Sequence, residues 1–335
     1  MIKIIFTLVL IVSMPAVALA AMQPMTDEEL GVQTGQAFFQ IDRDTSGAVD
    51  FTKFTFGMDI DISMNADLVD LGRYERTDDP RNYQSGSSDI RISDFALGSV
   101  NNDGTLNTFN ITDPFFELAF EDGAGGRQEL IGIRLGFGSA YGKLSGNIEY
   151  LTGNLDVELY GKGSYLGPRI SCGAFDLFCA AAKGLVSSAY ANDDFSGKAE
   201  LVDPSNNKRD PIRATHIGIP DRESLSIPDG TGFDNFLVGI FKAGADCKLL
   251  GVQACYPLGI YRSLDVGNVQ TGDPAKGMFI SFQSKSISWI DDGVGTPTVS
   301  GAFMNIPNGG IRTSFAEAFN GIERIRTKFL DPYYD

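Results

Sequence analysis

From position 54 to position 68 the chain alternates without a break. Phe54, Phe56, Met58, Ile60, Ile62, Met64, Ala66 and Leu68 take every second place, opposed by Lys53, Thr55, Gly57, Asp59, Asp61, Ser63, Asn65 and Asp67. A period of two is that of a β-strand, whose successive side chains point to opposite faces. Kept straight, a strand of this length would extend roughly 50 Å, well beyond the usual strand. It therefore demands a tall, bent sheet. Its apolar face, Phe54, Phe56, Met58, Ile60, Ile62 and Met64, is expected to be core. The alternative is a wall for a lipid or other apolar ligand, with methionines adapting to its shape.

More strands follow. Residues 88–97 alternate and shift phase between Ile92 and Phe95, as a β-bulge does. Residues 115–120 and 130–137 flank the turn 122–126 and read as a hairpin. In the second arm Ile131, Ile133, Leu135 and Phe137 share one face and Gly132, Arg134, Gly136 and Gly138 the other, so something is expected to pack closely on the glycine side. Residues 147–150 and 154–159, joined at Thr152-Gly153, read as a meander. Residues 236–241, 278–282 and 286–290 also read as strands. Helices are few: 27–32 after a Thr26/Glu29 capping box, 175–190 with Phe178, Ala182, Leu185 and Ala189 on one stripe, and 314–319. The expected fold is mainly β: a large antiparallel, curved sheet or sandwich with long strands and a few short helices.

Just before the long run, residues 41–51 (IDRDTSGAVDF) resemble the front of a calcium loop. Asp42, Asp44, Ser46 and Asp50 fall on ligand positions 1, 3, 5 and 9, and Gly47 on the required glycine. Position 12 is Lys53 where the bidentate glutamate belongs, and a strand follows where an exiting helix is needed. These four residues remain a weak calcium candidate only; the simpler reading is a polar turn with Ser46-Gly47 at its tip.

Residues 1–20 (MIKIIFTLVLIVSMPAVALA) read as a secretory signal peptide cut after Ala20. Their apolar stretch is short of the roughly 20 residues that span a bilayer. Residues 21–335 are then a single large β-rich domain, with 202–211 as the place for any subdivision. The formal charge of −16 argues against a nucleic-acid partner, since such affinity comes mainly from cationic contacts to phosphate. Four cysteines in an exported chain are expected to pair. Local pairs, Cys172 with Cys179 and Cys247 with Cys255, come first among three connectivities. A continuous helix over 172–179 would hold its two sulfurs ~10 Å apart and forbid the first of them. Zinc is the alternative, but the spacings match no usual site.

No catalytic constellation emerges. The one histidine, His216, lacks a marked nucleophile. Acid pairs such as Asp59/Asp61 and Asp291/Asp292 arise by chance among 43 acids, and a DD pair usually marks a solvated turn. No cofactor motif is present. An outer-membrane barrel is disfavoured because prolines, a helical stretch and cysteines interrupt the second half.

Residues 25–30 (MTDEEL) and 34–37 (TGQA), then 56–60 (FGMDI), 71–74 (LGRY), 133–137 (IRLGF), 151–154 (LTGN) and 304–307 (MNIP), resemble a group of exported proteobacterial β-rich proteins that includes the pilus-system protein FilF. The resemblance touches most of the chain through short motifs and carries over no catalytic residue. It implies residence at the cell surface, the outer membrane or the periplasm after Sec export. It also implies envelope or surface protein partners, a pilus system and adhesion among them. The expected function is thus binding or assembly rather than catalysis; the alternative is a periplasmic or outer-membrane-associated carrier of a lipid or other apolar ligand.

Overall fold

The computed structural model describes residues 39–78, 87–239, 241–291 and 293–328. The expected signal peptide, the helix expected at 27–32 and the first two motifs of the resemblance, 25–30 and 34–37, lie outside these residues.

In chain order the strands are β1 (Phe39–Ser46), β2 (Val49–Phe56), β3 (Asp59–Ile62), β4 (Met64–Leu71), β5 (Ile90–Leu97), β6 (Ser99–Val100), β7 (Leu106–Asn107), β8 (Phe109–Asp122), β9 (Gln128–Leu151), β10 (Gly153–Lys162) and β11 (Asp194–Val202). They continue as β12 (His216–Gly218), β13 (Lys248–Leu249), β14 (Val252–Gln253), β15 (Cys255–Pro257), β16 (Ser263–Val266), β17 (Ala275–Lys276), β18 (Phe279–Gln283), β19 (Ser288–Asp291), β20 (Val294–Pro297) and β21 (Gly301–Ser314). Helices α1 (Gly163–Leu166), α2 (Leu177–Ser187), α3 (Gly232–Gly239) and α4 (Phe315–Asn320) are short. The fold is mainly β, as expected.

Fifteen strands join one sheet whose main path is β1-β2-β8-β9-β16-β21-β10-β11-β12-β15. Its spine is β9, 24 residues long, paired with β8 and then β5 on one side and with β18, β17 and β16 on the other. The expected meander is corrected here. β10 does not pair with β9; it lies between β11, antiparallel, and β21, parallel, so the sheet is mixed although mostly antiparallel. The main core runs along β5, the second half of β9, β10, β11 and the helices. A smaller one, with Phe51, Phe279, Trp289 and Phe303, lies under the β19–β20 hairpin.

The alternating run is three strands rather than one. Thr55 pairs with Phe115 and Asp59 with Thr112, so β2–β3 takes four steps where β8 takes three. The extra residue is absorbed at Gly57-Met58, facing Asp113-Pro114, where proline has no N–H to give the ladder. After Ser63 the chain leaves β8 and pairs with β5 instead. The bulge expected between Ile92 and Phe95 is present, with Asp94 at φ +52° and a register shift between Ser93 and Ala96.

Both disulfides are the local ones, Cys172–Cys179 and Cys247–Cys255. α2 begins only at Leu177, capped by Asp176, whose Oδ1 accepts from the Cys179 N–H at 2.9 Å. Cys172 therefore precedes the helix and its Cα comes within 5.5 Å of that of Cys179. The buried stripe of α2 is Cys179, Ala182 and Val186, not the one expected through Phe178 and Ala189, because the disulfide turns Cys179 inward. Of the strand expected at 236–241, residues 236–239 belong instead to helix α3: Thr231 and Asp234 exchange side-chain-to-backbone hydrogen bonds and cap it. Paired thiols persist in oxidising compartments outside the cytosol. Among the described residues no helix is long and apolar enough to cross a membrane.

Candidate interaction surface

Two adjacent rows across the sheet differ in chemistry. In one, Lys53, Glu117, Arg134, Ser281 and Phe303 stand opposite one another on β2, β8, β9, β18 and β21. In the next, on the other face, stand Ile41, Phe54, Phe116, Leu135 and Ile280 on β1, β2, β8, β9 and β18. The charged row is covered by the β19–β20 hairpin. In the apolar row Ile41 and Leu135 are exposed, Phe54 and Phe116 are half-buried, and Ile280 is half-buried against the main core.

Arg134 is fully buried, 0% exposed, and so is most of Glu117. Its Nε donates to Glu117 Oε2 at 2.6 Å, and its terminal nitrogens donate to Asp291 Oδ2 at 2.6 Å and to the Ile290 carbonyl at 3.0 Å. Lys53 Nζ closes the cluster on Asp291 Oδ1 at 3.1 Å. Two cations meet two carboxylates, and the rings of Phe115, Phe279 and Trp289 lie 5.1, 5.0 and 5.2 Å from the guanidinium. Such cation–π contacts strengthen where water is excluded. Burial pushes the Glu117 carboxyl above its ordinary value, Arg134 pulling the other way. The glycine side of β9 explains itself: Gly132 has Trp289 and Ile287 against it, and Gly136 has the Phe115 ring. A β-carbon at either position would occupy the space of those side chains.

The outward face extends beyond one row. Phe39 pairs with Phe56 on one side, where the patch ends at Phe137, which packs on the main core; Leu118, Ile133 and Phe282 align on the other, then Phe120 with Leu130. Ile41 is 52%, Leu135 50% and Phe39 44% exposed. Phe54 stacks on Phe116 at 4.5 Å and Phe39 leans on Phe54 at 5.9 Å. From Leu130 to Leu135 along β9 and over five strands the patch has a footprint of roughly 17 by 19 Å, about 320 Å². That lies at the lower end of the ~300–600 Å² range of a monomer's largest apolar patch, where such patches are often functional. Only Arg43 and Asp50 bring charge onto its β1–β2 rim.

The residues expected to form one apolar face do not share it. Phe54 and Phe56 belong to the outward patch; Ile60 and Ile62, past the extra residue, stand opposite the buried Ile111 and Phe109 and pack on the main core. Met58 sits half-buried at the bulge itself, and Met64 lies exposed on β4. The calcium candidates are also divided. Asp50 pairs with Thr45 and Asp44 with Phe51, so Asp50 points to the opposite face of the β1–β2 hairpin from Asp42, Asp44 and Ser46. Among the described residues no three His, Cys, Asp or Glu side chains group as a metal would need. His216 lies on β12 with Nδ1 2.9 Å from Thr215 Oγ1.

Sequence reasoning missed the charged cluster. Asp291 is no solvated turn but a counter-ion for Arg134. It missed a second one, where Asp89 accepts from Arg76 and Arg213 at 3.1 Å each and from the Ala302 N–H at 2.9 Å, tying the loop after β4 to β21. The available signal was an arginine alternating with glycines on the face opposite Ile133, Leu135 and Phe137.

These features define a mainly β protein whose large mixed sheet shows an uncharged apolar surface on one face and buried ion pairs on the other. No family model matches the chain, no curated protein matches it, and no solved structure matches it.

Proposed function

We propose that this is an exported envelope or surface protein that acts by docking its outward apolar sheet face onto another protein, as an assembling component rather than an enzyme. The observation that carries the reading is the inversion of the sheet: charges buried under the hairpin, phenylalanines and leucines in the open. At ~25 cal/mol per Å², burying the patch contributes about 8 kcal/mol gross, comparable to the ~4–15 kcal/mol cost of association. The face alone therefore gives weak attachment. Among the described residues β1 pairs with β2 alone, and its other edge adjoins the patch and offers backbone groups for a further strand. Weak, repeated contacts suit a component of a larger array, in keeping with the resemblance to the FilF group and its pilus system.

The test is retention. Ile41→Asp with Leu135→Asp places two charges on the exposed patch without touching the core. In native cells the doubly substituted protein should leave the envelope and shed-fibre fractions for the soluble one, while its unfolding midpoint stays that of the wild type. Unchanged retention would contradict the proposal.

A further inference from the structure

A second apolar feature lies elsewhere, in the half of the sheet built from β10, β11 and β12. There the main core is not filled: a cavity of about 80 Å³ remains, several times the space one water needs. Its wall is Leu155, Val157 and Leu159 of β10, with Ala199 and Ile217 beside them. The two tyrosines that reach it spend their hydroxyls on the backbone. Tyr256 Oη donates to the Gln253 carbonyl at 2.8 Å and Tyr261 Oη to that of Ala318 at 2.6 Å. A polar ligand would find few partners, and water needs two to four. The chemistry selects hydrocarbon.

The cover is built from two segments, each closed by a disulfide. Residues 163–190 carry α1, α2 and Cys172–Cys179, and lend Leu166 and Val186 to the lining. Residues 225–256 carry α3, the β13–β14 hairpin and Cys247–Cys255, and lend Phe241 and Leu249. They meet where Phe178 stands 5.3 Å from Phe241 and where Tyr190 Oη donates to Asp234 Oδ1 at 2.9 Å. Around this seam the cover exposes large apolar side chains that pack on little: Phe175 at 96%, Leu177 at 84%, Phe233 and Phe236 at 67% and 66%, and Phe178. On a cover over a hydrocarbon-lined cavity, such residues belong where the protein meets a bilayer and a chain passes between them.

We infer that the cavity takes the alkyl chain of a membrane lipid, admitted at the Phe178–Phe241 seam. This site is separate from the outward sheet face and stands or falls without it.

The experiment uses the mature, disulfide-bonded protein and dodecanoate, followed by methyl NMR and calorimetry. Saturable one-to-one binding is expected, shifting the methyl signals of Val157, Leu159 and Leu249 while those of Ile133 and Leu135 stay in place. Ala199→Leu, which fills the wall, should weaken binding at least tenfold. Should that variant fail to fold, the methyl map of the wild type decides alone. Phe178→Ser with Phe236→Ser should leave binding of free dodecanoate intact and slow extraction of lipid from phosphatidylglycerol vesicles several-fold. Absence of saturation, or shifts at Ile133 and Leu135 instead, would overturn the assignment, as would an Ala199→Leu protein that folds and binds unchanged. Vesicle extraction indifferent to the seam substitutions would overturn the seam as the route.

Discussion

Removing the guanidinium of Arg134 leaves Glu117 buried without its hydrogen-bonded counter-ion and leaves Asp291 held to the sheet by Lys53 alone. Breaking a buried pair in this way costs ~3–5 kcal/mol. Arg134→Met should lower the unfolding free energy by that order, read from the fluorescence of Trp289, the chain's one tryptophan, which lies on the guanidinium. A loss below about 1 kcal/mol would mean that the cluster braces nothing. Glu117 also predicts a pH dependence. Because burial raises its pKa in the fold, the folded protein holds this proton to higher pH than the unfolded chain does. The group then favours the fold at low pH, and that contribution fades as pH rises from the ordinary carboxylate value through the raised one. Measured between about pH 4 and 7, the stability of the wild type relative to Glu117→Gln should fall with rising pH. A rising difference would reverse the sign argued for Glu117. None of these partners was legible singly: Lys53 stood out only as a misfit in a calcium loop and Asp291 as half of an acidic pair. Side chains 157 positions apart, as Arg134 and Asp291 are, leave no local pattern.

At the scale of elements, periodicity was a good guide to strands and a poor one to their breaks. The run 54–68 reads as one strand because its alternation never falters. What divides it is the partner: Pro114 on β8 faces the point where the extra residue is taken up, and that pairing is invisible from residues 54–68 alone. Strand 88–97 shows the contrary case, since its bulge disturbs its own pattern and was legible. The glycine side of β9 was legible as a close approach but not what approaches. Gly136→Ala should cost ~1–3 kcal/mol through overpacking against the Phe115 ring. Gly173, with open space where a β-carbon would go, should accept alanine within about 0.5 kcal/mol. Equal costs at the two sites would remove the steric account. The Cys247–Cys255 bridge closes a separation of 8 residues, worth ~2–3 kcal/mol by loop-closure entropy. Replacing both cysteines by serine should lower the denaturant midpoint accordingly; no shift would mean the β13–β14 cover holds without its staple. Helix α3 was missed because its apolar residues suggested a strand, while its cap lay one step earlier, at Thr231.

For the whole molecule, the class of fold followed from strand periods and turn residues, but the order of strands did not. The parallel pairing of β10 with β21 joins segments about 150 positions apart, and the local turn at Thr152-Gly153 pointed to the wrong neighbour. The two candidate surfaces were half legible. Sequence singled out an apolar face near Phe54 and Phe56, and folding extends it sideways over Phe116 and Leu135 while sending Ile60 and Ile62 inward. The central claim is that this outward face is covered by a protein partner in its native setting. Its most direct test is a cysteine at Leu135→Cys, probed with a membrane-impermeant maleimide on the purified protein and on native envelope or shed-fibre material opened to the reagent, beside Asn102→Cys on an exposed loop. The account predicts rapid labelling of both positions in the purified protein, and protection of position 135 alone in the native material. Equal labelling of the two positions in that material would contradict it.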